Sequence, residues 1–325
     1  MILVTGGTGF LGSELIKQLL DGGEKVRALK REFSIVSAML DGQPNLEWVH
    51  GDVLDYFSLE QAFDGVLQVY HCAGLISLHA ADHKRLLEVN VSGTANIVNL
   101  CIAKKVKKLV HVSSIVALGE SKTGQLITEE DSWTGDDNYG YSQSKYEGEM
   151  EVWRGTVEGI AAVIVNPSII IGKNAGTAGS GQLFEIVRKG FRYYPSGTCG
   201  FVDVEDVASV MITLMNSDIE SERFIVNSEN LSYRRLFEKA AEGFKVSPPS
   251  IKAQPWMFSL AWRAVKLLSL ITGKRYGITK QTSTNAVAKQ EFSNEKIRKA
   301  IGIEFKPINK SIAEICTALK INQSE

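Results

Sequence analysis

MILVTGGTGFLGSELIKQLL, residues 1–20, is the stretch from which the rest of the chain is read. Ile2, Leu3 and Val4 form a short apolar run, as expected of a strand buried on both faces of a parallel sheet. Gly6, Gly7, Gly9 and Gly12 follow, and Leu11, Leu15, Ile16 and Leu19 then recur at helical spacing. A strand that turns through glycines into a helix aims unpaired N–H groups and a positive dipole end at the turn, which makes a phosphate site. Two registers fit: Gly7, Gly9 and Gly12 satisfy G-x-G-x-x-G, while Thr5, Gly6, Gly9 and Gly12 satisfy T-G-x-x-G-x-x-G. Glycine-rich turns also serve as plain tight connections. The strand before and the helix after are what point to a dinucleotide.

The composition sets bounds. At 325 residues the chain can hold one large domain or two smaller ones, and 44% hydrophobic with 22% charged residues is ordinary for a globular protein. A formal net charge of −1 implies no basic face, so nucleic acid is not an expected partner. Cys72, Cys101, Cys199 and Cys316 are too scattered for a disulfide framework or a C-x-x-C motif, and read as reduced residues of a cytoplasmic protein. A strand beginning at residue 2 argues against a preceding signal peptide. The apolar run Trp256 to Ile271 is interrupted by Arg263 and Lys266, so a packed or amphipathic helix is expected there rather than a membrane span. No membrane partner is expected.

Strands and helices then alternate: strands near 25–29, 46–50, 68–73 and 108–113, and helices near 56–63 and 86–104. The pattern predicts a doubly wound parallel sheet. The end of the second strand selects the cofactor. An acidic residue there suits the ribose of NAD and cations suit the 2′-phosphate of NADP; Lys30 and Arg31 favour NADP, while Glu32 keeps NAD open. Asp52 is placed to accept from an adenine amino group, or else to cap the helix near Tyr56. Gly119 to Asn138 reads as a polar loop ending at Tyr141-Ser142-Gln143-Ser144-Lys145. Tyr141 and Lys145, four apart, share a helix face, and an ammonium there is expected to lower the tyrosine pKa toward a range useful for proton transfer. His79 and His83, with Asp82 beside them, lack a third ligand motif, so no metal is expected.

These stretches together resemble the short-chain dehydrogenase/reductases in their extended form, the epimerase/dehydratase superfamily, and within it the dihydroflavonol-reductase-like branch. The likeness runs through TGGTGFLG at 5–12, GDV at 51–53, CAG at 72–74, Asn90, SSIVALG at 113–119, YSQSK at 141–145, NPS at 166–168, FVDVEDVA at 201–208 and FSNEKIRKAIG at 292–302. The resemblance implies a Rossmann fold in which Ser114 polarises the substrate oxygen, Tyr141 is general acid or base, and Lys145 binds the nicotinamide ribose and tunes Tyr141. It implies that Gly6, Gly9 and Gly12 hold the pyrophosphate under Thr8, Phe10 and Leu11, and that Asp52 and Val53 meet the adenine. Ala73 and Gly74 line the groove, Asn90 lies near the cofactor, and Pro167 and Ser168 approach the nicotinamide. Arg31 aligns with a cationic position of NADP-using members. A homodimer is implied too, with Leu87, Val91, Ala95, Val98 and Ile102 as an apolar stripe that either pairs or faces the sheet.

Residues 1–166 are expected to form the dinucleotide-binding domain and 167–325 mainly a smaller, mostly helical substrate lobe, with a segment near 201–227 returning to the first. Gly172 to Gly181 should be a flexible loop bordering the site. The expected activity is reduction of a small, mostly apolar ketone or aldehyde, with Ile115 and Phe201 lining an apolar pocket. Two rivals stand beside it: a nucleotide-sugar epimerase or dehydratase with tightly held NAD, for which Arg188 and Arg192 are available, and a non-catalytic protein that senses NAD(P).

Overall fold

Seven segments pair side by side: β1 (Ile2–Thr5), β2 (Val26–Lys30), β3 (Leu46–His50), β4 (Gln68–His71), β5 (Lys108–Val112), β6 (Ala162–Pro167) and β7 (Glu222–Val226). The computed structural model describes the chain except residues 120–123, 136–139, 178, 274–276, 278 and 322–325. Every pairing in this sheet is parallel, in the order β7-β6-β5-β4-β1-β2-β3. Parallel neighbours need crossovers rather than hairpins, so helices cover both faces and the strands are apolar on both sides. Leu3, Val4, Val69, Leu109, Val110, Val163 and Val165 are accordingly fully buried. The order reverses between β1 and β4, where a doubly wound sheet opens a crevice at its C-terminal edge. The doubly wound expectation is met.

On one face the helix Phe10–Asp21 packs against the helix Val204–Met215 over Val4, Leu15, Ile16 and Met211. On the other, the helices Gly93–Ala103 and Tyr141–Val157 lie together. Their approach depends on small residues: a Cβ at Gly148 would stand 2.6 Å from the Asn90 carbonyl oxygen, and one at Gly155 would stand 2.7 Å from Val98. Of the stripe considered for a dimer, Val98 is fully buried and Leu87, Val91, Ala95 and Ile102 are half-buried.

After β6 the chain leaves the sheet and returns more than once. The helix Val204–Met215 and β7 rejoin it, and so does Glu295–Ile301, whose Ile297 is buried in the same core. That second return lies within the stretch assigned to the substrate lobe, because a short helix with one buried residue gives little periodic signal. The lobe also holds strands: Ile169–Ile171, Thr198–Asp203 and Glu229–Ser232 form a small sheet over a second core containing Phe184, Phe237, Ile312 and Ile315. Of the packed and amphipathic readings of the helix Pro255–Thr272, the packed one is not met, since none of its residues is buried.

Two histidines sit under the sheet edge. His71 Nδ1 is 2.7 Å from Thr5 Oγ1 and its Nε2 is 3.0 Å from Thr94 Oγ1; the His111 ring lies 5.1 Å away, with a buried, unpartnered Nδ1. Burial lowers both pKa values, that of His71 to about 3 and that of His111 well below the ordinary imidazole value. Because these pKa values lie below those of the unfolded chain, the unfolded state binds more protons beneath pH ~6.5 and stability is lost as pH falls from there. Each such imidazole steepens the loss by about 1.4 kcal/mol per pH unit. Urea unfolding of His111→Phe should therefore lose less stability between pH 7 and pH 5 than the wild type. An identical pH dependence would contradict the account.

Candidate active site

The turn after β1 is shaped by backbone proximity. Gly6 has φ +69°, and a Cβ there would lie 2.6 Å from Ala73 N. A Cβ on Gly12 would lie 2.2 Å from the Gly6 carbonyl oxygen, itself the acceptor of Gly9 N at 2.9 Å. Only glycine lets helix, turn and the end of β4 meet this closely. Gly9 caps the helix Phe10–Asp21 without a side-chain hydrogen bond, so no side chain of the cap competes for the first-turn N–H groups. Thr8, Phe10 and Leu11 belong to this turn, and Phe10 meets the site of a would-be Cβ on Gly172 at 3.2 Å. The small-residue loop thus folds over the turn. It contains a short helical turn at Lys173–Ala175, and Gly181 is backed against the Gly176 carbonyl.

The cradle fits a dinucleotide. Lys30 lies at the end of β2, its ammonium 5.8 Å from the centre of the Trp48 ring. Arg31 is exposed beside it and makes no ion pair among the described residues. Asp52 Oδ1 accepts from Leu54 N at 3.0 Å, while the helix Tyr56–Ala62 is capped by Asp55, so capping is not the task of Asp52. Val53 is buried against Gly93.

Tyr141 opens its helix after Gly140, where φ is +71° and a Cβ would strike His83. Ser114, just beyond β5, accepts from Val116 N at 3.3 Å and lies close enough to the Tyr141 hydroxyl to act on its pKa. Burial pushes the Tyr141 phenol up to about 12, against the smaller, opposite pull of Ser114. The expected lowering is therefore reversed in direction: burial outweighs any nearby cation. Lys145 Nζ donates to Val112 O at 2.8 Å. Burial lowers the lysine pKa to about 8, and the charge of Glu149 opposes the change.

Gly74 and Asn90 complete the contact between cofactor turn and catalytic helix. A Cβ on Gly74 would lie 3.6 Å from Lys145 Nζ and 3.4 Å from Asn90 Oδ1. Asn90 lies on a π-turn, Glu88–Ser92, and is almost wholly buried. Its amide accepts from Leu75 N at 2.7 Å and donates to Leu75 O at 3.0 Å and Ser144 Oγ at 2.9 Å. It ties the segment after Gly74 to the Tyr141 helix, a bracing contact beyond the nearness implied for it.

Four positions stand elsewhere than expected. Phe201 is fully buried, edge-on to Tyr233, and Ile115 is buried in the same second core. They back the pocket wall from inside instead of lining it. Pro167 and Ser168 are also buried, and the Ser168 hydroxyl donates to Val226 O at 3.4 Å. Alternation along a strand cannot tell a cleft-facing residue from one facing a second lobe.

Glu149, not singled out from the sequence, is fully buried one turn beyond Lys145. It accepts from Asn166 Nδ2 and from Arg223 Nη1 at 3.4 Å, and Asn166 also donates to Ser114 O at 3.0 Å. The four-residue step from Tyr141 to Lys145 to Glu149 was the available signal.

Comparison with known proteins bears on this geometry. The family model described as NAD dependent epimerase/dehydratase family matches residues 2–227. Sterol demethylase protein B of Methylococcus capsulatus is 33% identical over 73% of this chain and 72% of its own length. Cinnamoyl-CoA reductase 1 of Petunia hybrida is 26% identical over 98% of this chain and 92% of its own. Among solved structures, gox2253 superimposes with a TM-score of 0.84 at 25% identity, covering 99% of this chain and 98% of that one.

Proposed function

The chain belongs to the NAD-dependent epimerase/dehydratase family and is an NAD(P)-dependent enzyme of the extended short-chain dehydrogenase/reductase type; from that premise we propose that it reduces a small, mostly apolar ketone or aldehyde with NADPH, through Ser114, Tyr141 and Lys145. One observation carries the reading. A tyrosine next to Ser114 and kept protonated by burial stands at the crevice beside a buried lysine.

The dinucleotide would be held by the Gly6–Gly12 turn, by Arg31 and Lys30 at the ribose, by Asp52 and Val53 near the adenine, and by Lys145. When bound, its nicotinamide supplies the hydride that adds to the carbonyl carbon. Ser114 Oγ donates to the carbonyl oxygen and favours the charge that develops there. Tyr141 hands its proton to the new alkoxide, and a pKa near 12 means that it holds that proton at neutral pH, as reduction requires. Lys145, as ammonium, steadies the resulting phenolate.

Two features favour a carbonyl compound over a nucleotide sugar. Arg188 is engaged by Glu185 through two contacts of 2.7 and 2.8 Å, and these hold the Glu185 carboxyl down to about 2, so Arg188 is already paired. Ile115 and Phe201 put an apolar core directly behind the pocket wall. Assaying a panel of ketones and aldehydes with NADPH, beside calorimetry with UDP- and dTDP-sugars, tests the choice. Micromolar sugar-nucleotide binding without carbonyl reduction would transfer the assignment to epimerisation.

Arg31 supports the NADP preference because it is exposed at the end of β2 and free of ion pairs among the described residues. One lost charge-assisted contact costs about 1.5–3 kcal/mol, so Arg31→Ala should weaken NADPH binding by roughly ten- to a hundred-fold and leave NADH nearly unchanged. Tighter NADH binding by the wild type would overturn this and point to Glu32. The half-buried Leu87, Val91, Ala95 and Ile102 support a homodimer through this helix face, which a monomeric mass at micromolar concentration would refute.

A further inference from the structure

The helix Pro255–Thr272 carries a run of apolar surface that the fold leaves uncovered. Trp256, Leu260, Leu267 and Ile271 are 66%, 62%, 60% and 76% exposed, and their spacing of four, seven and four residues puts them on one face. The helix has one substantial neighbour, the short helix Lys280–Asn285, and no buried residue of its own. Isolated exposed leucines need no explanation, but a contiguous stripe does.

Charge identifies the occupant. Residues 243–290 contain eight Lys and Arg and no Asp or Glu, in a chain whose formal net charge is −1. Arg263 and Lys266 stand beside the stripe; the Arg263 guanidinium stacks 4.6 Å from the centre of the Trp262 ring and donates to Ser259 O at 2.8 Å. A second copy docking on this face would bring two such cationic segments together. An anionic lipid surface instead meets apolar side chains, indole rings and cations each at their preferred depth.

We propose that the helix Pro255–Thr272 lies in the surface of an anionic bilayer and holds the protein there reversibly. It lies on the membrane and does not span it. Among the described residues the one stretch long and apolar enough to cross is Ala80–Ala103, and that stretch is the core helix braced by Asn90 and packed against Tyr141–Val157.

The test is co-sedimentation of the full chain with vesicles of phosphatidylcholine alone and of phosphatidylcholine mixed with phosphatidylglycerol. Binding to the mixed vesicles, weakened by salt and much lower on the neutral ones, is expected. Arg263→Gln with Lys266→Gln should lower affinity for the anionic vesicles by roughly 30-fold. Leu260→Glu with Leu267→Glu should abolish binding while NADPH affinity and circular dichroism stay unchanged, since neither side chain supports the core. Failure of the wild type to sediment with anionic vesicles overturns the proposal. So does a vesicle-free oligomer that falls apart in the Leu260→Glu, Leu267→Glu protein, because a second copy would then be the occupant.

Discussion

Replacing Tyr141 with phenylalanine should cut turnover by ~10²–10⁴-fold, the usual contribution of general acid–base catalysis, and leave dinucleotide affinity near that of the wild type. The ring that packs at the head of the helix Tyr141–Val157 is kept, and so is the backbone that Ser144 N and Ser144 Oγ use behind it. What disappears is the hydroxyl beside Ser114, which burial holds as a proton donor. Steady-state kinetics on an identified substrate, with NADPH titrated separately by fluorescence, separates the two effects. Wild-type turnover would remove Tyr141 from the chemistry.

Glu149 should be the costliest position behind the site. Its carboxylate is fully buried, and removing one partner of a buried, hydrogen-bonded charge pair costs about 3–5 kcal/mol. Glu149→Ala would strip Asn166 Nδ2 and Arg223 Nη1 of a shared acceptor and loosen the Asn166 contact that fixes Ser114 O. Urea unfolding should register a loss of that size, and a change under about 1 kcal/mol would contradict the account. Glu149→Gln isolates the charge. The Glu149 charge raises the Lys145 pKa, which burial lowers to about 8, so its neutralisation lets Lys145 lose its proton at lower pH. The alkaline fall of kcat/KM for NADPH, which reports the free enzyme, should begin near pH 8 in the wild type and at lower pH in Glu149→Gln. An unshifted limb would leave Glu149 a purely structural role.

The first half of the chain was legible because each local signal there has a single physical reading. Ile2–Val4 alternates with nothing polar and must be buried twice over. Gly6 needs a positive φ, and Gly12 must clear the Gly6 carbonyl by less than a Cβ allows. Tyr141 and Lys145 belong to one helix, so their spacing carries their common face. The electrostatic outcome was not legible, because the Tyr141 pKa depends on how deeply its phenol is buried, which a spacing of four does not encode. Nor were Phe201 and Ile115, since an apolar residue at a strand end fits a pocket wall and a second core equally well. Glu149 was hidden by its type: a glutamate on a helix reads as solvated until Asn166 and Arg223, 17 and 74 residues away in sequence, are seen to converge on it.

The central claim is that a hydride passes to a carbonyl carbon in the crevice while Tyr141 supplies the proton. Turnover of a carbonyl compound with NADPH deuterated on the transferring face of the nicotinamide, followed by mass spectrometry of the alcohol, tests it most directly. The account predicts one deuterium on the carbinol carbon with the wild-type protein and almost none formed in the same time by Tyr141→Phe. Alcohol formed without the label from either face, or label transfer that proceeds unhindered in Tyr141→Phe, would contradict it.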